Sequence, residues 1–301
     1  MSKKTLAYIA LLAATLLWST SGITAKSLVV DVNPVVVSMY RFLLASLCIL
    51  PFFLYEKRTN TPWKQLILPA IIGGLSAPLF FLGIKTTLAN SGTLIYTATP
   101  LVTAILSYFL IREKNALSKW IGIFIGLIGV IIIILLPTIE TGSVSTGNVQ
   151  GNMFITAGML CWTIYAILCR KLRLGDKVST VTITSLYFFI STILCFLFLL
   201  MTNEPLFPST LFTSPTHISV LFYLAIGLTL ITFSLYQWAI GYLSATTASF
   251  KQYIEVVFAI IVNGIFLGEK MTTGFLIGTT LVILGLVVAT VGKMNSLRRK
   301  K

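Results

Sequence analysis

Lys251 and Glu255 stand four residues apart inside a long apolar run, a spacing that puts both on one face of a helix. An ammonium and a carboxylate so placed have two available roles. They can neutralise each other as a local ion pair. Alternatively they can form a polar floor, where Glu255 binds a substrate ammonium or carries a proton and Lys251 meets a carboxylate or other anion. Arg41 is the third ionisable side chain well inside an apolar run; its simpler role is to snorkel or to tie helix ends together. Ionisable groups at membrane depth are costly and usually functional. Trp18 and Trp162 lie within apolar runs at matching places in the two halves of the chain, and could face each other. Tyr96, with Tyr40, Tyr165, Tyr236, Trp238 and Tyr253, extends the aromatic set, although interfacial anchoring is the default for such residues. Thr99, Gln237 and Gln252, with Thr97 and Asn263, could add hydrogen bonds.

Other chemistries are missing from the sequence. The four cysteines, Cys48, Cys161, Cys169 and Cys195, all lie in apolar stretches, with no zinc spacing and no disulfide framework. His217 is the one histidine. No nucleophile and base pair and no nucleotide-binding loop is visible, so an enzyme, a structural subunit and an ATP-driven pump are all disfavoured. No cofactor and no metal is expected.

The composition sets the solvent. The chain has 301 residues, 56% hydrophobic and 10% charged, with mean hydropathy +0.96. Soluble domains carry about 25% charged residues. The apolar residues come in blocks long enough to cross a bilayer. The formal net charge of +14 does not indicate a nucleic-acid partner, because Lys and Arg cluster between the apolar runs and at both ends. The expected partners are the lipid bilayer, a small-molecule solute and protons.

The elements that must position these residues come in two related sets. Glu113-Lys114 is followed by Ile121-Gly122 and Gly129, and Glu269-Lys270 by Ile277-Gly278 and Gly285 at the same spacings. Trp18 precedes Lys26 as Trp162 precedes Arg170. Aligned on the Glu-Lys pairs, Lys251 and Glu255 match the uncharged Ile95 and Thr99. The Glu-Lys pairs therefore read as architectural, and function is expected where the copies differ. Ten spans are expected, at 6–27, 34–55, 66–85, 91–111, 119–137, 151–170, 178–201, 218–240, 246–267 and 273–292. Residues 138–150 form the linker, so 1–137 and 151–301 are the two repeats. Five spans per half make the repeat inverted. Lys3-Lys4 before the first apolar run resembles a signal peptide, but cleavage would remove Trp18, and the first span is expected to stay as a helix. Most of the 22 Lys and Arg then fall on the side of the N-terminus, so both termini are expected in the cytoplasm. Pro78 inside helix 3 and Pro100 inside helix 4, with Pro51 late in helix 2, are expected kinks or hinges. Gly122-x-x-x-Gly126 and Gly274-x-x-x-Gly278 are expected to let helices approach closely.

Leu17-Trp18-Ser19-Thr20-Ser21-Gly22, Tyr40-Arg41-Phe42, Thr99-Pro100-Leu101 through Phe109-Leu110 to Glu113, and Glu255 followed by Leu267-Gly268-Glu269 and Gly285 together resemble the EamA family of the drug/metabolite transporter superfamily. The resemblance covers nearly the whole chain. It implies an all-α polytopic membrane protein, ten transmembrane helices as two inverted five-helix repeats around a central cavity, with alternating access. It also implies a small-metabolite or toxic-compound substrate; related families carry nucleotide sugars and phosphorylated sugars. The chain departs from the family in having Val256 after Glu255, where the second repeat commonly has proline, and in having Lys251.

The expected function is a secondary transporter in the cytoplasmic membrane. It moves a small polar or zwitterionic, amino-acid-like metabolite, as a proton-coupled exporter or an exchanger. The alternatives are a multidrug-type exporter of aromatic or cationic compounds and a nucleotide- or phosphorylated-metabolite exchanger.

Overall fold

The computed structural model describes residues 2–21, 24, 27, 28, 31–56, 61–86, 95–140, 148–173, 178–267 and 273–298. Among these the regular elements are all helical, with no strand. They are α1 Lys3–Ser19, α2 Pro34–Tyr55, α3 Trp63–Thr86, α4 Thr99–Ile111, α5 Leu117–Glu140, α6 Val149–Arg173, α7 Thr180–Met201, α8 Pro215–Ile240, α9 Lys251–Leu267 and α10 Thr273–Arg298, with two single-turn helices, Ser209–Thr213 before α8 and Ala245–Ser249 before α9. Five helical stretches, Pro34–Tyr55, Trp63–Phe80, Val149–Arg173, Thr180–Met201 and Pro215–Ile240, are long and apolar enough to cross a bilayer. Many large apolar side chains on the exterior are exposed, among them Phe52, Phe109, Leu117 and Ile265, as a lipid-facing surface requires.

Local sequence explains where several helices begin. The Asn33 side chain accepts from the Val35 N–H, and Pro34 occupies the first turn of α2, where its missing N–H is no loss. Ser179 caps α7 by accepting from the Thr182 N–H. Ser214 caps α8 in the same way, with Pro215 following it.

The boundaries differ from expectation in three places. α1 ends at Ser19, capped at Thr20, but Ser21, Thr24, Ser27 and Leu28 are again helical, so the expected span 6–27 is interrupted at Thr20. The expected span 91–111 is interrupted by a turn at Ala98: residues 95–97 are helical, α4 starts at Thr99, and the expected start at 91 lies outside the described residues. Pro100 therefore sits in the first turn of α4 and is not a kink inside a continuous helix; proline is tolerated at that position because no intrahelical bond is lost. The ninth expected span is interrupted: a short turn, Ala245–Ser249, stops at Phe250 before α9 begins at Lys251. Pro78 and Pro51 lie inside α3 and α2 as expected, and Pro69 joins Pro78 in α3. A further departure is a π-helical stretch, Tyr223–Ile231, within α8.

The core forms where the first five helices meet the last five. α5 packs on α10, α3 on α6 and α7, α2 on α7 and α8, α1 on α8 and α9, and α4 on α6. The expected small-residue contacts hold, and their partners are now specific. A Cβ added at Gly285 would stand 2.6 Å from the Gly122 carbonyl oxygen, and one at Gly129 would stand 2.6 Å from the Gly278 carbonyl oxygen. Gly126 accommodates the ring of Tyr253.

Candidate functional site

The break before α9 places Lys251 at the start of a fresh helix, buried to 7% exposure. Its Nζ lies 2.8 Å from Glu255 Oε2, so the four-residue spacing does produce an ion pair. The same Nζ stands over the ring of Trp18, 4.2 Å from its centroid, a favourable cation–π distance. Trp18 in turn donates from its indole Nε1 to the Leu228 carbonyl oxygen at 3.1 Å. That carbonyl belongs to the π-helical stretch and also accepts from the Thr232 hydroxyl. Beside the pair is a narrow cleft of about 10 Å³, whose lining includes Thr99, Thr103, Trp162, Tyr236, Lys251 and Gln252. That is about the room of one water molecule, so this place is closed to a larger solute in the structure. The Thr99 hydroxyl donates to the Tyr96 carbonyl oxygen at 2.5 Å, and the Tyr96 ring meets Phe80 edge-on. Lys251, Glu255, Trp18, Trp162, Tyr96, Thr99 and Gln252 thus form one neighbourhood.

Trp18 and Trp162 touch edge to face, with centroids 6.3 Å apart. Around them are Tyr236, Phe233, Tyr165 and Tyr187. Tyr187 stacks on both Tyr165 and Phe233 at 4.9 Å. Gln237, fully buried, donates to the Tyr165 hydroxyl at 2.8 Å, and its carbonyl oxygen has no partner. Sequence reasoning missed Tyr187 and Phe233. Both lie in runs that are apolar on every face, where periodicity carries no signal for the inward side.

Arg41 is not beside the Lys251–Glu255 pair. It lies on α2, where the Tyr187 and Cys195 side chains of α7 are the ionisable groups that act on it. Its guanidinium carbon stands 4.7 Å from the Phe42 ring centroid, and its Nε is buried without a hydrogen-bond partner. Among the described residues no carboxylate pairs with it.

Several other candidates have structural roles. The Tyr253 hydroxyl donates to the Ile123 carbonyl oxygen at 3.0 Å, Trp238 packs on Tyr242, and the Tyr40 hydroxyl donates to the Leu206 carbonyl oxygen. His217 links Thr210 and Asp31. The Asn263 side chain, Lys26, Glu269 and Lys270 lie outside the described residues.

Glu113 acts across the molecule. Arg112 adopts a left-handed backbone conformation, φ 54° and ψ 34°, which ends α4. The Glu113 carboxylate then accepts from the Ala245 and Thr246 N–H groups and from the Thr246 hydroxyl. Lys119 donates to Asn115 and Ser244, and Arg170 donates to the Ile240 and Gly241 carbonyl oxygens. The loops at 112–118 and 241–245 are closed against each other by these bonds.

Comparison with known proteins gives a consistent picture. A profile described as the EamA-like transporter family matches residues 5–135 and again 149–291. An uncharacterized transporter of Clostridium kluyveri is 24% identical over 97% of this chain and 96% of its own length. The uncharacterized transporter YyaM of Bacillus subtilis is 31% identical over 74% of this chain and 72% of its own. A solved structure described as a crystal structure of a protein superposes with a TM-score of 0.79 at 20% identity, covering 96% of this chain and 98% of that one; at that identity the likeness is one of fold.

Proposed function

Because the chain belongs to the EamA-like transporter family, and is therefore a multi-pass membrane protein of a transporter family, we propose that it is a secondary transporter of a small polar, amino-acid-like metabolite. The observation that carries the substrate reading is the Lys251–Glu255 pair, held over the Trp18 ring beside a cleft lined by Thr99, Trp162 and Gln252. A charge pair and hydroxyls at the wall of a narrow cleft can orient a solute that carries both polar and apolar parts once the cleft opens. The cleft also lies where two helices are interrupted, α4 before Thr99 and α9 before Lys251. Broken helices in corresponding positions of two halves are the usual markers of a transporter's binding site.

The architecture we propose is ten spans in two inverted repeats, 1–137 and 151–301, joined by 138–150, with both termini cytoplasmic and net movement outward. Two separate matches of one family profile support the duplication. So does the packing: under exchange of the halves, α1 on α8 corresponds to α6 on α3, and α1 on α9 to α6 on α4. Glu255 is the proposed coupling group. Reconstitution into proteoliposomes, with counterflow of a labelled amino-acid and metabolite panel, tests the reading; no substrate-dependent flux of any such solute would remove it. The ring cluster favours one second reading, export of aromatic cations through cation–π contact. Resistance of overexpressing cells to quaternary ammonium dyes, without amino-acid flux, would select it.

A further inference from the structure

The three ionisable groups that lie well inside apolar runs, Arg41, Lys251 and Glu255, do not balance. Lys251 is compensated by Glu255 at 2.8 Å. Arg41 is not compensated: the groups that act on it, Tyr187 and Cys195, are ordinarily neutral at pH 7. Arg41 lies seven residues into α2, or about 10 Å along the helix. The Phe42 ring supplies a cation–π contact, but no acceptor faces the buried Nε. Ser38, one turn earlier and so on the same face of α2, is fully buried and its hydroxyl also has no partner. An unpaired charge and an unpaired hydroxyl side by side in a low-dielectric interior are each unfavourable. A planar oxyanion supplies what both lack, because a guanidinium presents its donors as a fork matched to carboxylate geometry.

We infer that Arg41, with Ser38 beside it, is an anion-binding subsite for a monoanionic solute carrying a carboxylate or similar planar oxyanion. In this structure the Lys251–Glu255 pair is closed, and so neutral, on the other side of the ring cluster. This inference rests on the transport reading above and specifies its substrate class. Bound solute charge of minus one brings this described set of interior charges to zero, whereas a cation would leave it at plus two. The wall between the two polar places is aromatic, formed by Tyr187, Phe233 and Trp162, so the anion's organic part is expected to be apolar or aryl.

The test compares thermal stabilisation of the purified full-length chain by 3-phenylpropionate, 3-phenylpropionamide and 3-phenylpropylamine, three compounds of one skeleton that differ in charge. The acid is expected to raise the melting temperature more than the amide or the amine, since binding to the folded state stabilises by mass action. In Arg41→Met the acid's apparent affinity is expected to fall about 30-fold or more. Arg41→Lys is expected to retain the preference for the acid with weaker binding, because it keeps the charge without the fork. Without ligand, Arg41→Met is expected to melt at the same temperature as the parent or higher, since an uncompensated cation has been removed. A lower ligand-free melting temperature would make Arg41 a structural cation and overturn the inference. So would a preference for the amine, persistence of the acid's effect in Arg41→Met, or no shift by the acid at millimolar concentration. Stabilisation as expected with no flux of any solute in proteoliposomes would leave the subsite standing and remove the transport reading.

Discussion

At the scale of single residues, Lys251 and Glu255 do the first of the two things their spacing allowed. They neutralise each other, and they do so against Trp18 at the edge of a cleft. The sequence made the pairing legible because a helix fixes which residues share a face. It did not make the Trp18 contact legible, since the two residues are more than 200 positions apart. Removing one partner of a buried ion pair costs about 3–5 kcal/mol, because the other charge is left unmatched. The 21% exposure of the Glu255 side chain places this pair at or below the low end of that range. Lys251→Met and Glu255→Gln are each expected to lower the melting temperature in detergent, and the double substitution to recover most of the loss. Additive losses would show that the two side chains do not interact. A functional consequence belongs to the same residues. If Glu255 carries the coupling proton, Glu255→Gln should abolish accumulation driven by a pH gradient while counterflow exchange persists; unchanged pH-driven uptake would take the coupling role away from it.

At the scale of elements, what the sequence revealed depended on whether a local signal existed. The bounds of α2 were legible because Asn33-Pro34 is a strong start signal and the apolar run ends at Tyr55. The break at Ala98 before α4, the break at Phe250 and the π-helical stretch in α8 were not, because an unbroken apolar run gives periodicity nothing to mark. The glycine spacing in α5 and α10 announced close approach but not the partner. The structure makes each the other's partner and grades the positions. At Gly122 and Gly285 an added Cβ meets backbone of the facing helix, which cannot step aside. At Gly274 it meets only the Leu136 side chain, at 3.0 Å, which can rotate. Gly285→Ala is therefore expected to destabilise the protein by about 1–3 kcal/mol, the usual cost of overpacking, and Gly274→Ala by much less. Thermal denaturation of the two variants in one detergent decides it; equal losses would mean that α5 and α10 separate easily and that backbone contact is not what holds them.

At the scale of the whole molecule, the repeated Glu-Lys segment has a use that its repetition alone did not disclose. Glu113 reaches from the first half of the chain to cap the Ala245–Ser249 turn of the second, while Lys119 and Asn115 hold Ser244 and Thr246. That turn ends two residues before Lys251, and Ser249 lines the same cleft. On the proposed arrangement these bonds would close the cytoplasmic end of a route to the cleft. A seal made of a few polar bonds suits alternating access, because water can replace each bond when the halves separate. Losing a cap costs about 0.5–2 kcal/mol, and a shift of one or two kcal/mol changes a two-state population about 5- to 30-fold. Glu113→Ala is thus expected to favour the state open at this end. A single cysteine at Ser249, buried to 6% exposure in this structure, reports it in a chain whose native cysteines have been replaced. A membrane-impermeant maleimide applied from the cytoplasmic face should label Ser249→Cys several-fold faster when Glu113→Ala is present, and from the outer face no faster. A lower melting temperature with an unchanged labelling rate would show that the Glu113 contacts hold the fold together without controlling access to the cleft.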